Sequence, residues 1–94
     1  MPIVRADVPE WLTHEQCLEI RRELHGCIAR TWFKEHIWIA VRPYTSEPEE
    51  RMVIMTVEVR GGRGHDRERA EACFDEALDI FSRVVGTKEE ELIV

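Results

Sequence analysis

A strand-like run near the start of the chain, Ile3-Val4-Arg5-Ala6-Asp7-Val8, returns 51 residues later as Ile54-Met55-Thr56-Val57-Glu58-Val59. In that register Asp7 meets Glu58, Val8 meets Val59, His14 meets His65 and Glu15 meets Asp66. Such a repeat constrains the fold strongly, because each copy is one supersecondary unit that must bury a similar face. In both copies the run leads through a few turn residues into a long amphipathic stretch.

The first stretch starts at Thr13. Thr13 followed three residues later by Gln16 is a capping-box pattern, in which hydroxyl and amide each satisfy an orphan backbone N–H. Cys17, Ile20, Leu24, Cys27, Ile28 and Thr31 then recur at three- and four-residue steps, one face of a helix. The second stretch runs from about Asp66 to Val85, with Ala70, Cys73, Phe74, Ala77, Phe81 and Val84 inward, and Gly86 stops it. Each helix precedes another extended run, His36 to Val41 in the first copy and Glu91 to Val94 in the second. Between the copies, Pro43-Tyr44-Thr45-Ser46-Glu47-Pro48-Glu49-Glu50 reads as a loop.

The sequence therefore predicts an α+β chain of order β-α-β-β-α-β. It makes a single domain over 1–94, with one βαβ repeat over 1–44, a loop over 45–50 and a second repeat over 51–94. Right-handed crossovers place both helices on one face of a four-stranded sheet. The opposite face stays bare, yet the runs Arg51 to Val59 and Ile37 to Val41 are too apolar to be left in water. A second sheet or another subunit is the natural cover, and a homo-oligomer is expected.

Composition narrows the function classes. Thirteen basic against nineteen acidic side chains give a formal charge of −6, which repels a phosphate backbone, and nucleic acid is not an expected partner. No apolar run nears the roughly 20 residues that span a bilayer. The first residues lack the basic stretch and apolar core of a signal peptide, so the expected location is the cytoplasm. Three cysteines, Cys17, Cys27 and Cys73, read as buried or half-buried helix residues rather than as a disulfide framework. Neither a metal nor a cofactor is expected, since no His or Cys pair has ligand spacing. Gly61-Gly62-Arg63-Gly64 lacks the lysine and hydroxyl of a phosphate loop and reads as a tight turn.

Met1-Pro2-Ile3, the helix start Leu12-Thr13-His14-Glu15-Gln16, Ile37-Trp38-Ile39 and Gly62-Arg63 ahead of the second helix, set in two βαβ units, resemble the 4-oxalocrotonate tautomerase superfamily. The resemblance covers the whole chain and is to the longer members, which carry both units in one polypeptide. It implies a homotrimer with helices outside and loss of the initiator methionine. It also implies that Pro2 becomes a free secondary amine, moving protons on a small 2-oxo or unsaturated carboxylic acid. Hydratase, dehalogenase and decarboxylase relatives use that amine as a general acid instead; the alternative outside catalysis is a ferredoxin-like oligomeric binding module.

A terminal proline nitrogen is a base whose charged form is disfavoured by burial and by neighbouring cations, which brings it toward neutrality. The alternative for Pro2 is a plain proline opening an edge strand, where its missing N–H costs nothing. The resemblance puts carboxylate-binding arginines ahead of the first helix and on the following strand, where this chain has Leu12 and Trp38. Substrate binding is then assigned to Arg63, which precedes the second helix, with Arg42 and Arg51 beside the inter-repeat loop; Arg60 ends the third strand. An arginine is suited because it forks two hydrogen bonds to a carboxylate. His25, on the first helix at a position similar to a helix histidine of the dehalogenase and decarboxylase branches, and Glu35, just before the second strand, are further catalytic candidates. The alternative for His25 is a histidine at the edge of the core, and for Glu35 a charged turn.

Overall fold

The computed structural model of the chain describes residues 2–60 and 64–94. Its elements follow the expected order: β1 (Ile3–Pro9), α1 (His14–Trp32), β2 (Trp38–Tyr44), β3 (Val53–Glu58), α2 (Asp66–Val84), a short 3-10 turn (Glu89–Glu91) and β4 (Leu92–Ile93). The four strands form one sheet in the order β2-β1-β3-β4. β1 pairs with β2 in parallel and with β3 antiparallel, and β3 pairs with β4 in parallel.

Local chemistry accounts for the helix ends. Thr13 Oγ1 accepts the Gln16 N–H at 3.2 Å, and Gln16 Oε1 accepts the Thr13 N–H at 2.8 Å, the reciprocal cap that the sequence predicts. α2 ends where Gly86 turns to φ +85°, its N–H bonded to the carbonyls of Phe81 and Ser82. Only glycine enters that region without steric cost. α1 ends differently, on Phe33, a bulky residue held at φ +55°.

Alternation along the strands sorts side chains to two faces. Val4, Ala6 and Val8 of β1, Val53 and Met55 of β3, Ile39 of β2 and Leu92 of β4 are buried under both helices in a single cluster. The helices contribute Ile20, Leu24, Cys27 and Ile28 from α1, and Cys73, Ala77, Ile80 and Phe81 from α2. A fully buried aliphatic or aromatic side chain of this kind contributes about 1.5–3 kcal/mol. The helices lie antiparallel, for Arg30 pairs with Glu76 at 2.9 Å while Glu23 pairs with Arg83 at 2.8 Å.

Among the described residues, no helix covers the opposite face. That face presents Trp38, Ile54 and Ile93, each between 40% and 49% exposed. Among them lies an Arg5–Glu58 ion pair at 3.0 Å, with Asp7 and Arg42 opposite one another on β1 and β2. The bare face is thus mixed, with exposed apolar side chains around charged ones. The run Arg51 to Val59 looks continuous in sequence, but Val53 and Met55 turn to the helices and leave a mixed surface outside.

Candidate functional site

Pro2 immediately precedes β1, and its carbonyl accepts the Trp38 N–H at 3.0 Å. Because β1 lies between β2 and β3, Pro2 opens an interior strand, which removes the edge-strand alternative. Pro2 is itself buried, on the face that carries Val4 and Ala6. One register step before the Ile3–Trp38 pair, Pro2 stands beside Ile37.

Ile37 leads to a cavity at this end of the molecule. A space of about 280 Å³ between α1 and β2 is lined by Leu18, Arg21, Arg22, His25, Ile37 and Ile39. Three apolar side chains make its walls, two guanidinium groups and an imidazole supply its polarity, and no carboxylate lines it. In a chain of net charge −6 such a lining makes a local positive potential. Arg21 is held in place, since its Nε donates to the Ile39 carbonyl at 3.2 Å. His25 is exposed rather than tucked at the edge of the core. Arg21 and Arg22 are absent from the sequence-based candidates. The signal for them was their helical spacing from His25, which puts Leu18, Arg21, Arg22 and His25 on neighbouring turns.

The remaining candidates divide between the two ends of the sheet. Glu35 is exposed in the connection between α1 and β2, two residues before Ile37, so it shares the Pro2 end. Arg60 lies just past β3, whose end pairs with the start of β1, and shares it too. Arg63 and the glycines Gly61 and Gly62 lie outside the described residues. Arg42 pairs with Asp7, five residues along β1 from Pro2, or roughly 16 Å at 3.3 Å per residue. Arg51 is farther, three residues beyond the Ile54–Asp7 pair, so its level is roughly 26 Å from Pro2. Its Nε lies 4.0 Å from Glu91 Oε1. Within one protomer Pro2, His25 and Glu35 therefore share one end, while Arg42 and Arg51 stand at the other.

The aromatic residues also separate. Trp32 belongs to the core, Trp11 donates its ring N–H to the Glu50 carbonyl at 2.7 Å, and Trp38 lies open on the bare sheet face. Among the described residues, no group of three or more His, Cys, Asp or Glu is placed to hold a metal ion. No helix among them is long and apolar enough to cross a membrane.

No protein-family model matches the sequence, and no curated protein matches it. Solved structures do match in fold. A fused 4-OT, described as an asymmetric trimer, superposes with a TM-score of 0.82 at 10% identity, over 98% of this chain and 81% of that one. A macrophage migration inhibitory factor-like protein from Entamoeba histolytica gives 0.82 at 12% identity, over 98% and 82%. FG41 malonate semialdehyde decarboxylase, inhibited by 3-bromopropiolate, gives 0.76 at 14% identity, over 97% and 78%. The chain has the tautomerase-superfamily fold.

Proposed function

We propose that the chain is a proton-transfer enzyme of tautomerase type, acting through the Pro2 amine on a small 2-oxo or unsaturated carboxylic acid. The observation that carries this reading is the place of Pro2: buried at the start of an interior strand, beside Ile37 and the basic cavity that holds His25. Once Met1 is removed, the nitrogen is a secondary amine in a poorly solvated setting, where the neutral form is favoured. The base takes a proton from the carbon next to the 2-oxo group, and the carbonyl oxygen is protonated to give the enol; ketonisation runs the same steps backwards. A substrate carboxylate is held by arginine, with Arg21, Arg22 and Arg60 available at this end and Arg63 the sequence-based choice.

Arg42 and Arg51 reach a Pro2 site only from a neighbouring subunit. The bare sheet face and the trimeric 4-OT among the structures of this fold support a homotrimer. Three free thiols fit a reducing compartment, in keeping with the cytoplasm.

A second reading stays within the same site. His25 and Glu35 share the Pro2 end, and one structure of this fold is a decarboxylase, so Pro2 as general acid with His25 or Glu35 activating water is the alternative. Two measurements separate these readings from a non-catalytic binding module. Intact mass shows whether Met1 is gone, and enol–keto conversion of phenylpyruvate is then followed for the wild type and Pro2→Ala. Activity that disappears in Pro2→Ala supports the tautomerase. Turnover of an unsaturated acid to a hydrated or decarboxylated product, without phenylpyruvate turnover, favours the alternative. Retained methionine and no turnover overturn both.

A further inference from the structure

Cys27 and Cys73 face each other where α1 crosses α2. Cys27 is fully buried, Cys73 is 3% exposed, and the Cys27 thiol donates to the Cys73 carbonyl at 3.7 Å. The two differ in one respect. Cys73 forms part of the wall of a cavity of about 320 Å³ between β3 and α2, together with Trp32, Met55, Val57, Ala70 and Val94. Among the described residues β4 pairs with Val53 and Ile54 alone and no strand flanks β3 on that side beyond Ile54, where the cavity lies against it. A small uncharged reagent thus has a route to Cys73 that it lacks to Cys27.

The neighbourhood also favours the Cys73 thiolate. Its thiol is lowered to about 7, chiefly by the Cys27 thiol, which can swing from the Cys73 carbonyl to the Cys73 sulfur as charge develops there. Trp32 adds a donor, whereas the Thr31 hydroxyl is committed to the Cys27 carbonyl at 2.8 Å. Burial and Glu76 oppose the shift. The partner moves the opposite way: Cys27 is pushed far up by the Cys73 sulfur and by burial, with Glu76 adding to this and Arg30 opposing it, so it stays protonated as the donor. Cys17, half-buried elsewhere on α1, is raised by burial alone.

We propose that Cys73 is a peroxide-reactive thiol reached through the cavity between β3 and α2, and that Cys27 closes on it in a disulfide that locks α1 to α2. In the first step the Cys73 thiolate attacks one oxygen of hydrogen peroxide, the O–O bond breaks, and a sulfenic acid and hydroxide form. In the second the Cys27 sulfur attacks the Cys73 sulfur, the S–OH bond breaks, and water leaves with the Cys27 proton. The sulfur pair is oxidised by two electrons and the peroxide is reduced; a dithiol such as dithiothreitol reverses the change by exchange. The disulfide closes a loop between positions 46 apart in sequence and restricts the unfolded chain.

The test uses the native wild-type chain with hydrogen peroxide, quenching with N-ethylmaleimide and peptide mapping. The expected product has lost two hydrogens, carries a Cys27–Cys73 crosslink and retains an alkylatable Cys17. At pH 7 Cys73 should be consumed about tenfold faster than Cys17, from the difference in thiolate fraction tempered by nucleophilicity. The oxidised chain should melt at a higher temperature than the reduced one and return with dithiothreitol. In Cys27→Ser, dimedone should trap a sulfenic acid on Cys73, and Cys73→Ser should lose the crosslink. Cys17 reacting first, both buried thiols remaining free, or Cys73 over-oxidising while Cys27 stays reduced would each overturn the proposal. The wild-type map decides even if a variant fails to fold.

Discussion

Thr13 does at one position what a helix N-terminus otherwise leaves to solvent. Its hydroxyl takes the Gln16 N–H while Gln16 returns the favour to the Thr13 N–H, so two orphan donors are settled by one pair. Thr13→Ala should cost about 1 kcal/mol of stability, read as a lower urea midpoint with an unchanged slope; an unchanged midpoint would show that solvent replaces the cap at no cost. Cys73 makes a second prediction at this scale. A thiol reacts as its thiolate, and Cys73 is lowered to about 7 while Cys27 is held protonated. The rate of alkylation of Cys73 in the folded chain should therefore be low at pH 5, rise through about 7 and level off above it, whereas Cys17, raised by burial, should still be rising past its usual value. Mass-resolved labelling over that pH range checks it, and identical profiles for the two thiols would contradict it. Residues of this kind differ in legibility. The cap was readable from two letters three apart. The thiol pair was not, because Cys27 and Cys73 meet only across a helix–helix contact and nothing local in either helix announces the other.

At the scale of elements, the repeat was legible but its phase was not. The strands do repeat at 51, with Ile3 and Ile54 both on the bare face. The buried helix positions instead repeat at 53: Ile20 with Cys73, Leu24 with Ala77, Cys27 with Ile80 and Ile28 with Phe81. The extra residues fall between β3 and α2. This is why His65 becomes the cap residue of α2 while His14 is already inside α1. Matching His14 to His65 by sequence register alone hid that slip. β2 was misjudged for another reason. It continues through Pro43 to Tyr44, where the sequence reading placed a loop. Proline is tolerated there because β2 is an edge strand with one side unpaired. The shifted phase makes Phe81 the counterpart of Ile28, and it carries more than its volume. Its ring is fully buried, and its carbonyl accepts the N–H of Val85, Gly86 and Thr87 at the end of α2. Phe81→Ala should cost about 3–5 kcal/mol, a large share of the roughly 5–15 kcal/mol available to a domain of this kind. Chemical denaturation should show the chain partly unfolded without denaturant, while Leu78→Ala, on a side chain only partly buried, should cost clearly less.

For the whole molecule the question is how a site assembles when its proposed parts stand at opposite ends of a sheet. Pro2, His25 and Glu35 were assigned from scattered positions, and the topology brings them to one end because α1 runs back over β1 toward the start of the sheet. Arg42 could not be placed that way from sequence, since its level depends on the parallel register that sets it opposite Asp7 rather than beside Pro2. If Arg42 serves the proposed reaction, it must serve the Pro2 of another subunit. Hybrid oligomers distinguish that case. Pro2→Ala alone and Arg42→Ala alone should each be nearly inactive. Mixed in equal amounts and allowed to exchange subunits, they re-create sites that have an intact Pro2 from one subunit and an intact Arg42 from the next. With random mixing in a cyclic assembly, about a quarter of the sites are whole, so about a quarter of wild-type activity should return. Native mass spectrometry shows whether mixed oligomers have formed. If they have and no activity returns, Arg42 does not complete a neighbour's site. An Arg42→Ala variant that is fully active by itself places the carboxylate with the arginines at the Pro2 end instead, and Arg21, already braced on the Ile39 carbonyl, becomes the side chain to substitute next.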